Sequence, residues 1–294
     1  MVSDNLLSHC PTFARLYRSG EINELKNPVF SDEKSARQFA KDATTIVSEM
    51  DTFGFLPPDY AALRRNAALA AEFMTGDLYL MSKSNIKSIR KLREWVKIPP
   101  PPGFVYVRKY KSTKDMSPEV AQVFGQLGES DNAHVRGVTI DGRYIALLVG
   151  EYHDELADNL AHEMVHAYIT LACPSPLPKW FQEGAAVYFS TGKESNLYGK
   201  TGDPKMVQVT IPEDYKRKLY SFQYLEQKVG KQKLYEFVRH SVETGNVDTR
   251  KALGLGPRTQ PRKSPPILLF IIVGVVILAA IIWYAWRHDD GWAP

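Results

Sequence analysis

The sequence predicts an α+β chain: a helical N-terminal region, a small mixed sheet, two adjacent helices in the second half and a single C-terminal transmembrane helix. Three observations predict it. Apolar residues recur at three- and four-residue spacing through most of residues 30–95. Alternating aromatic and β-branched runs begin at Phe104, directly after the proline run 99–102 and Gly103. Residues 267–286 contain no charge over 20 positions, which at about 1.5 Å per residue spans about 30 Å, the hydrocarbon thickness of a bilayer.

The first helical segment carries Phe39, Ala43, Ile46, Val47 and Met50 on one face, with Ser31 and Asp32 available as N-caps. Gly54, Pro57 and Pro58 break it from a second, whose apolar face is Leu63, Ala67, Leu69, Ala70 and Phe73. A third helix covers residues 84–96, and its basic face (Lys87, Arg90, Lys91, Arg93) reads as solvated surface rather than an anionic-lipid contact. The four prolines and Gly103 form a stiff linker, so a boundary is expected there between a helical region, 1–98, and a second domain, 104–253. Residues 104–110 form a strand. Residues 137–140 and 144–149 form a hairpin around Asp141-Gly142, and residues 219–244 are helical. A basic Pro/Gly linker, 254–266, precedes the span, and residues 287–294 are a short tail.

Composition narrows the function classes. The 294 residues are 44% hydrophobic and 24% charged, an ordinary globular balance that excludes a disordered, collagen-like or repeat protein. The formal charge is +4, but Arg250, Lys251, Arg258, Arg262 and Lys263 lie in one short stretch that has only Asp248 against them. The rest is near neutral, so no nucleic-acid groove is expected. The basic stretch precedes the span, and Trp283, Tyr284 and Trp286 cluster at its far end as interfacial aromatics do. The N-terminus has no basic-then-apolar export signal, so the chain reads as tail-anchored with its large domain in the cytoplasm. Cys10 and Cys173 are expected to be free thiols in that reducing compartment.

The chemistry is concentrated in His162-Glu163-Met164-Val165-His166, which lies within a helical apolar pattern over residues 154–171. Residues four apart share a helical face, so both imidazoles can reach one metal ion with Glu163 beside a bound water. A catalytic zinc site needs a third protein ligand. Glu183 follows His166 by 17 residues, enough for the helix to end, a proline-rich turn (173–178) to reverse the chain and a second helix to present a carboxylate.

These residues resemble the gluzincin metallopeptidases, in the peptidase MA-like group. The likeness rests on His162–His166 followed by Trp180-Phe181-Gln182-Glu183-Gly184-Ala185-Ala186-Val187-Tyr188, and it extends over about 150 residues, from the strand at Phe104 through Tyr220-Ser221-Phe222-Gln223-Tyr224-Leu225 to Gly230. The resemblance implies a zincin-like two-helix site on a small mixed sheet, with one Zn2+ on His162, His166 and Glu183 and Glu163 as general base. It also implies that an extended peptide or protein substrate pairs with a strand edge at Tyr144, Ala146 and Leu148. Tyr220 matches a recurrent tyrosine and is the expected oxyanion donor, with Tyr215, Tyr224 and His240 as rivals. One position departs from the pattern: Val187 stands where thermolysin-like enzymes carry an aspartate. The expected function is therefore a membrane-anchored zinc metallopeptidase. The alternative is a catalytically inactive, membrane-tethered interaction protein on the same scaffold.

Overall fold

The structure, a computed structural model, describes residues 4–25, 28–54, 58–131, 136–149, 156–190, 213–252 and 254. Residues 1–253 form one compact unit and residues 254–294 a second. The chain begins with α1 (Asp4–His9), α2 (Pro11–Ser19), α3 (Glu33–Phe53) and α4 (Pro58–Phe73). Asp32 caps α3 by accepting the Ser35 amide at 2.8 Å, and Gly54 ends it at φ 77°, a left-handed conformation that a side chain would oppose. Strand β1 (Asp77–Leu80) and α5 (Lys87–Lys91) follow, and α5 continues through a π-helical turn, Leu92–Val96. Then come β2 (Phe104–Tyr110), α6 (Pro118–Asp131), β3 (Gly137–Ile140), β4 (Tyr144–Leu148), α7 (Leu156–Ala172), α8 (Lys179–Ser190), α9 (Glu213–Val229), α10 (Lys231–Thr244) and α11 (Thr249–Ala252). The final helical stretch is thus two helices, broken at Gly230 with φ 83°.

The four strands make one mixed sheet in the order β1-β2-β4-β3, with β2 and β4 parallel and both outer pairs antiparallel. Strand periodicity divides the core into two layers. Tyr106, Tyr110, Val138, Ile140, Tyr144 and Ala146 pack with the buried faces of α1 to α4 and α6. Val105, Val107, Ile145 and Leu147 face the other way, onto α5 and the helices from α7 to α10. The hairpin turn has φ 51° at Asp141 and 70° at Gly142, as a type I′ connection requires.

The expected boundary at residues 99–103 is not where the compact units divide. β1, from before the prolines, pairs with β2, from after them, so the N-terminal region contributes a strand and a whole helical layer to the same sheet. Arg143, 1% exposed, fastens this corner by donating to the carbonyls of Pro102 at 2.8 Å and Phe104 at 3.1 Å. β1 and α6 went unread in the sequence, and for β1 the reason is that a four-residue strand has too few positions to show a period. Cys10 and Cys173 are both free. Among the described residues no helix is long and apolar enough to cross a membrane; the span expected at 267–286 and the linker at 255–266 lie outside them.

Four phenols buried in these layers make the unit sensitive to alkali. Burial pushes Tyr168 up to about 12, and it raises Tyr110, Tyr144 and Tyr188 further. The folded chain then binds more protons than the unfolded one above about pH 10, so stability falls as pH rises through that value. Tyr168 alone accounts for about 2 kcal/mol between pH 10 and 12. Urea melts at pH 9 and 11 should show the midpoint fall, with the loss reduced in Tyr168→Phe.

Candidate metal centre

α7 is held on three sides before it presents any ligand. Met164, Val165, Ala167, Tyr168 and Ile169 bury one face in the layer lined by Ile145 and Leu147. The Tyr168 hydroxyl donates to the Ile98 carbonyl at 2.8 Å, and Ser88 Oγ donates to the Ala161 carbonyl at 3.0 Å. The hairpin presses against the remaining side at two glycines. A Cβ on Gly142 would lie 2.9 Å from Thr170, and one on Gly137 would lie 2.9 Å from Glu163 Cγ. The sequence uses glycine where backbone and helix approach most closely.

The turn between α7 and α8 is set by its prolines. The Pro178 carbonyl accepts the amides of Phe181 and Gln182 at 2.9 and 3.1 Å, and Gln182 Nε2 donates to the Leu177 carbonyl at 2.7 Å. These bonds start α8 against α7, and the buried small residues Gly184, Ala185 and Ala186 let the helices pack closely. Glu183 is thereby turned towards the two imidazoles.

His162 Nε2, His166 Nε2 and Glu183 Oε2 form a nearly regular triangle, with sides of 3.0, 3.6 and 3.6 Å. A point equidistant from all three lies about 2 Å from each, the length of a zinc bond to nitrogen or carboxylate oxygen. The donor set of two imidazoles and a carboxylate is the set a catalytic zinc takes. Among the described residues Glu183 Oε2 is also buried without a hydrogen-bond partner, since 3.6 Å is too long for one. An orphaned anionic oxygen facing two imidazole nitrogens is costly unless a cation joins them. The three residues could therefore hold a metal ion. Burial alone would raise the Glu183 pKa, yet the two histidines hold it well below the usual carboxylate range. Burial likewise disfavours the charged form of His166, but Glu183 and Glu163 outweigh it and raise that imidazole.

Glu163, 7% exposed, lies beside His162 on α7. Thr139 Oγ1 on β3 is 2.7 Å from Glu163 Oε2 and 3.0 Å from the Glu163 carbonyl, so the hydroxyl fixes the carboxylate's position. Thr139 was missed in the sequence, where it reads only as a strand residue. The approach of Gly137 completes that cradle.

The other expected site residues fall elsewhere. β4 is an interior strand, paired with β2 on one side and β3 on the other, so it has no backbone edge for a peptide to join. Tyr144 and Ala146 are buried with the N-terminal helices, and Leu148 packs partly buried in the same layer, away from α7. The assignment of substrate to these three is corrected on both counts: the strand is not an edge, and their face is the wrong one. Among the described residues the edge strand beside α7 is β3. Tyr220 falls within α9, but its side chain lies outside the described residues, as does that of Tyr215. Of the rivals, Tyr224 is 51% exposed with Lys228 over its ring, and His240 is exposed on α10. Val187 is buried, so an orienting carboxylate does not come from that position. No protein-family model, curated protein or solved structure matches this chain.

Proposed function

We propose that this chain is a membrane-anchored, zinc-dependent metallopeptidase of zincin-like architecture that hydrolyses peptide bonds with Glu163 as general base. The observation that carries the reading is the convergence of His162, His166 and Glu183 on one point at bonding distance. A zinc ion held there would lower the pKa of a bound water to about 7 and polarise a peptide carbonyl. Glu163 accepts the water proton and returns it to the leaving amine, and Thr139 keeps its carboxylate aimed while it does so. The edge of β3, unpaired among the described residues, suits an extended peptide, which it would hold by backbone hydrogen bonds beside Glu163. Tyr220 remains the proposed oxyanion donor, and the span at 267–286 the proposed anchor.

The test is the metal content of the purified full chain in detergent, followed by its action on a mixed peptide library. About one zinc per chain is expected, with cleavage that a chelator abolishes and added zinc restores. A folded chain that takes up no zinc and cuts nothing overturns the proposal. Thr139→Val should lower kcat about tenfold with KM and zinc content unchanged, and Thr139→Ser should recover most of the loss. Equal kcat in wild type and Thr139→Val would remove Thr139 from the site.

A further inference from the structure

Lys87 and Lys91 on α5 and Trp95 in the following π turn stand four residues apart, on one face of a continuous helical stretch. Read as sequence, that face is plain solvated surface. The fold changes this by bringing α10 against it. Trp95 stacks on Tyr235 with ring centroids 6.4 Å apart, and the ammonium groups of Lys91 and Lys231 lie 6.0 and 5.1 Å from the Trp95 ring centre. Trp95 is nonetheless 47% exposed, an unusual setting for an indole.

The lysines here repel one another, and the nearby carboxylate, Glu226, acts on Tyr235 and is bonded by the Tyr188 hydroxyl rather than by a lysine. Lys91 donates to the Phe189 carbonyl at 2.8 Å, and its ammonium is held below the usual lysine range, by burial first and then by Lys87 and Lys231. Among the described residues no carboxylate pairs with any of the three. The first turn of α10 has no acidic residue to offset Lys231. Close by in sequence, Lys228 lies 5.5 Å from the ring of Tyr224, the most exposed large hydrophobic residue described. Mutually repelling lysines around a half-exposed indole call for an anionic partner with an apolar boundary, and the headgroup layer of an anionic bilayer is such a partner.

We infer that the surface formed by Lys87, Lys91, Trp95 and Lys231 docks on an anionic lipid surface, so that the chain is held by this face as well as by its span. The inference rests on the membrane-anchored part of the proposed function and is independent of the peptidase part. The tether accounts for the modest size of the patch. Residues 253–266 reach at most about 50 Å, which keeps the lipid surface at high effective concentration. A few lysines and one indole bind weakly on a free protein but suffice on a tethered one. The Lys91–Phe189 bond also joins this surface to α8, the helix that carries Glu183.

The experiment is amine acylation of the full chain, reconstituted in phosphatidylcholine vesicles or in vesicles with about one-third phosphatidylserine. Modification is read residue by residue by mass spectrometry, with the exposed α3 residues Lys34 and Lys41 as internal references. Phosphatidylserine should lower acylation of Lys87, Lys91 and Lys231 about threefold or more relative to the references, and about 1 M salt should abolish the difference. Trp95→Ser and Lys87→Glu/Lys231→Glu should each reduce the protection. Equal footprints on the two vesicles, with the chain floating on both, overturn the docking surface and leave the span standing. Flotation on phosphatidylserine vesicles alone, with these lysines protected, supports the surface and overturns the span. Flotation on neither overturns both. Protection by poly-aspartate at matched charge, with none from vesicles, assigns the surface to an acidic polypeptide and overturns the lipid reading.

Discussion

Glu163→Gln is expected to lower peptide hydrolysis by about 10³-fold while zinc content stays at one per chain, because the substitution removes a proton acceptor and almost nothing else. Glutamine keeps the shape of the side chain, so it still fits the cradle formed by Gly137 and Thr139. Its carbonyl oxygen can still accept from Thr139 Oγ1, now 2.7 Å from the carboxylate. The proposed metal ligands are other residues, so zinc binding should not change. Only the transfer of the water proton is lost, and the loss should appear in kcat rather than KM. The measurement is single-substrate kinetics beside zinc analysis on the same preparation. Wild-type cleavage by the variant would end the general-base assignment. A cellular function insensitive to the variant would favour the tethered, inactive scaffold.

Glu183→Ala should weaken zinc binding by at least about 10²-fold and abolish cleavage at ambient zinc. Two imidazoles on adjacent turns of α7 then remain with no third protein ligand, and zinc sites of this class need three. Removing the carboxylate also removes the anion that offsets metal charge in a site where all three residues are largely buried. The effect can be read without any substrate. Zinc that binds only the folded chain stabilises it by about 4 kcal/mol at a thousand times its dissociation constant, so zinc should raise the wild-type Tm. The same zinc should raise the Tm of Glu183→Ala far less, since a site about 10²-fold weaker gains only about 1.4 kcal/mol at that concentration. Lowering the pH through the imidazole range should release zinc from the wild type, because histidine ligands bind deprotonated. Equal zinc affinity in wild type and variant would take Glu183 out of the site.

What was legible in the sequence is what depends on near neighbours. His162 and His166 stand four apart, and one helical turn is enough to place both on one face. Asp32 before α3 and Asp141-Gly142 between β3 and β4 are local signals, and both acted as read. Glu183 was legible because only one turn separates its helix from α7 and prolines set that turn.

The remainder turned on pairings between distant residues. Thr139 and Glu163 are 24 residues apart and belong to different elements, so no spacing rule joins them. Tyr144, Ala146 and Leu148 follow a correct strand period, but a period does not say which face meets α7 or whether a strand is interior, and a shift of one residue exchanges the faces. β1 exists because β2 pairs with it, and Trp95 gathers Lys231 only because α10 folds back across α5. The sequence alone determined the identity and spacing of the candidate metal-ligand residues, the helices that carry them and the apolar run after the folded unit. Strand order, the facing of β3 and β4, the cradle around Glu163 and the basic aromatic surface were decided by tertiary packing. The physical reason is that local structure follows from steric and hydrogen-bonding preferences within a few residues, whereas a site edge or surface patch is defined by whatever the rest of the chain leaves uncovered.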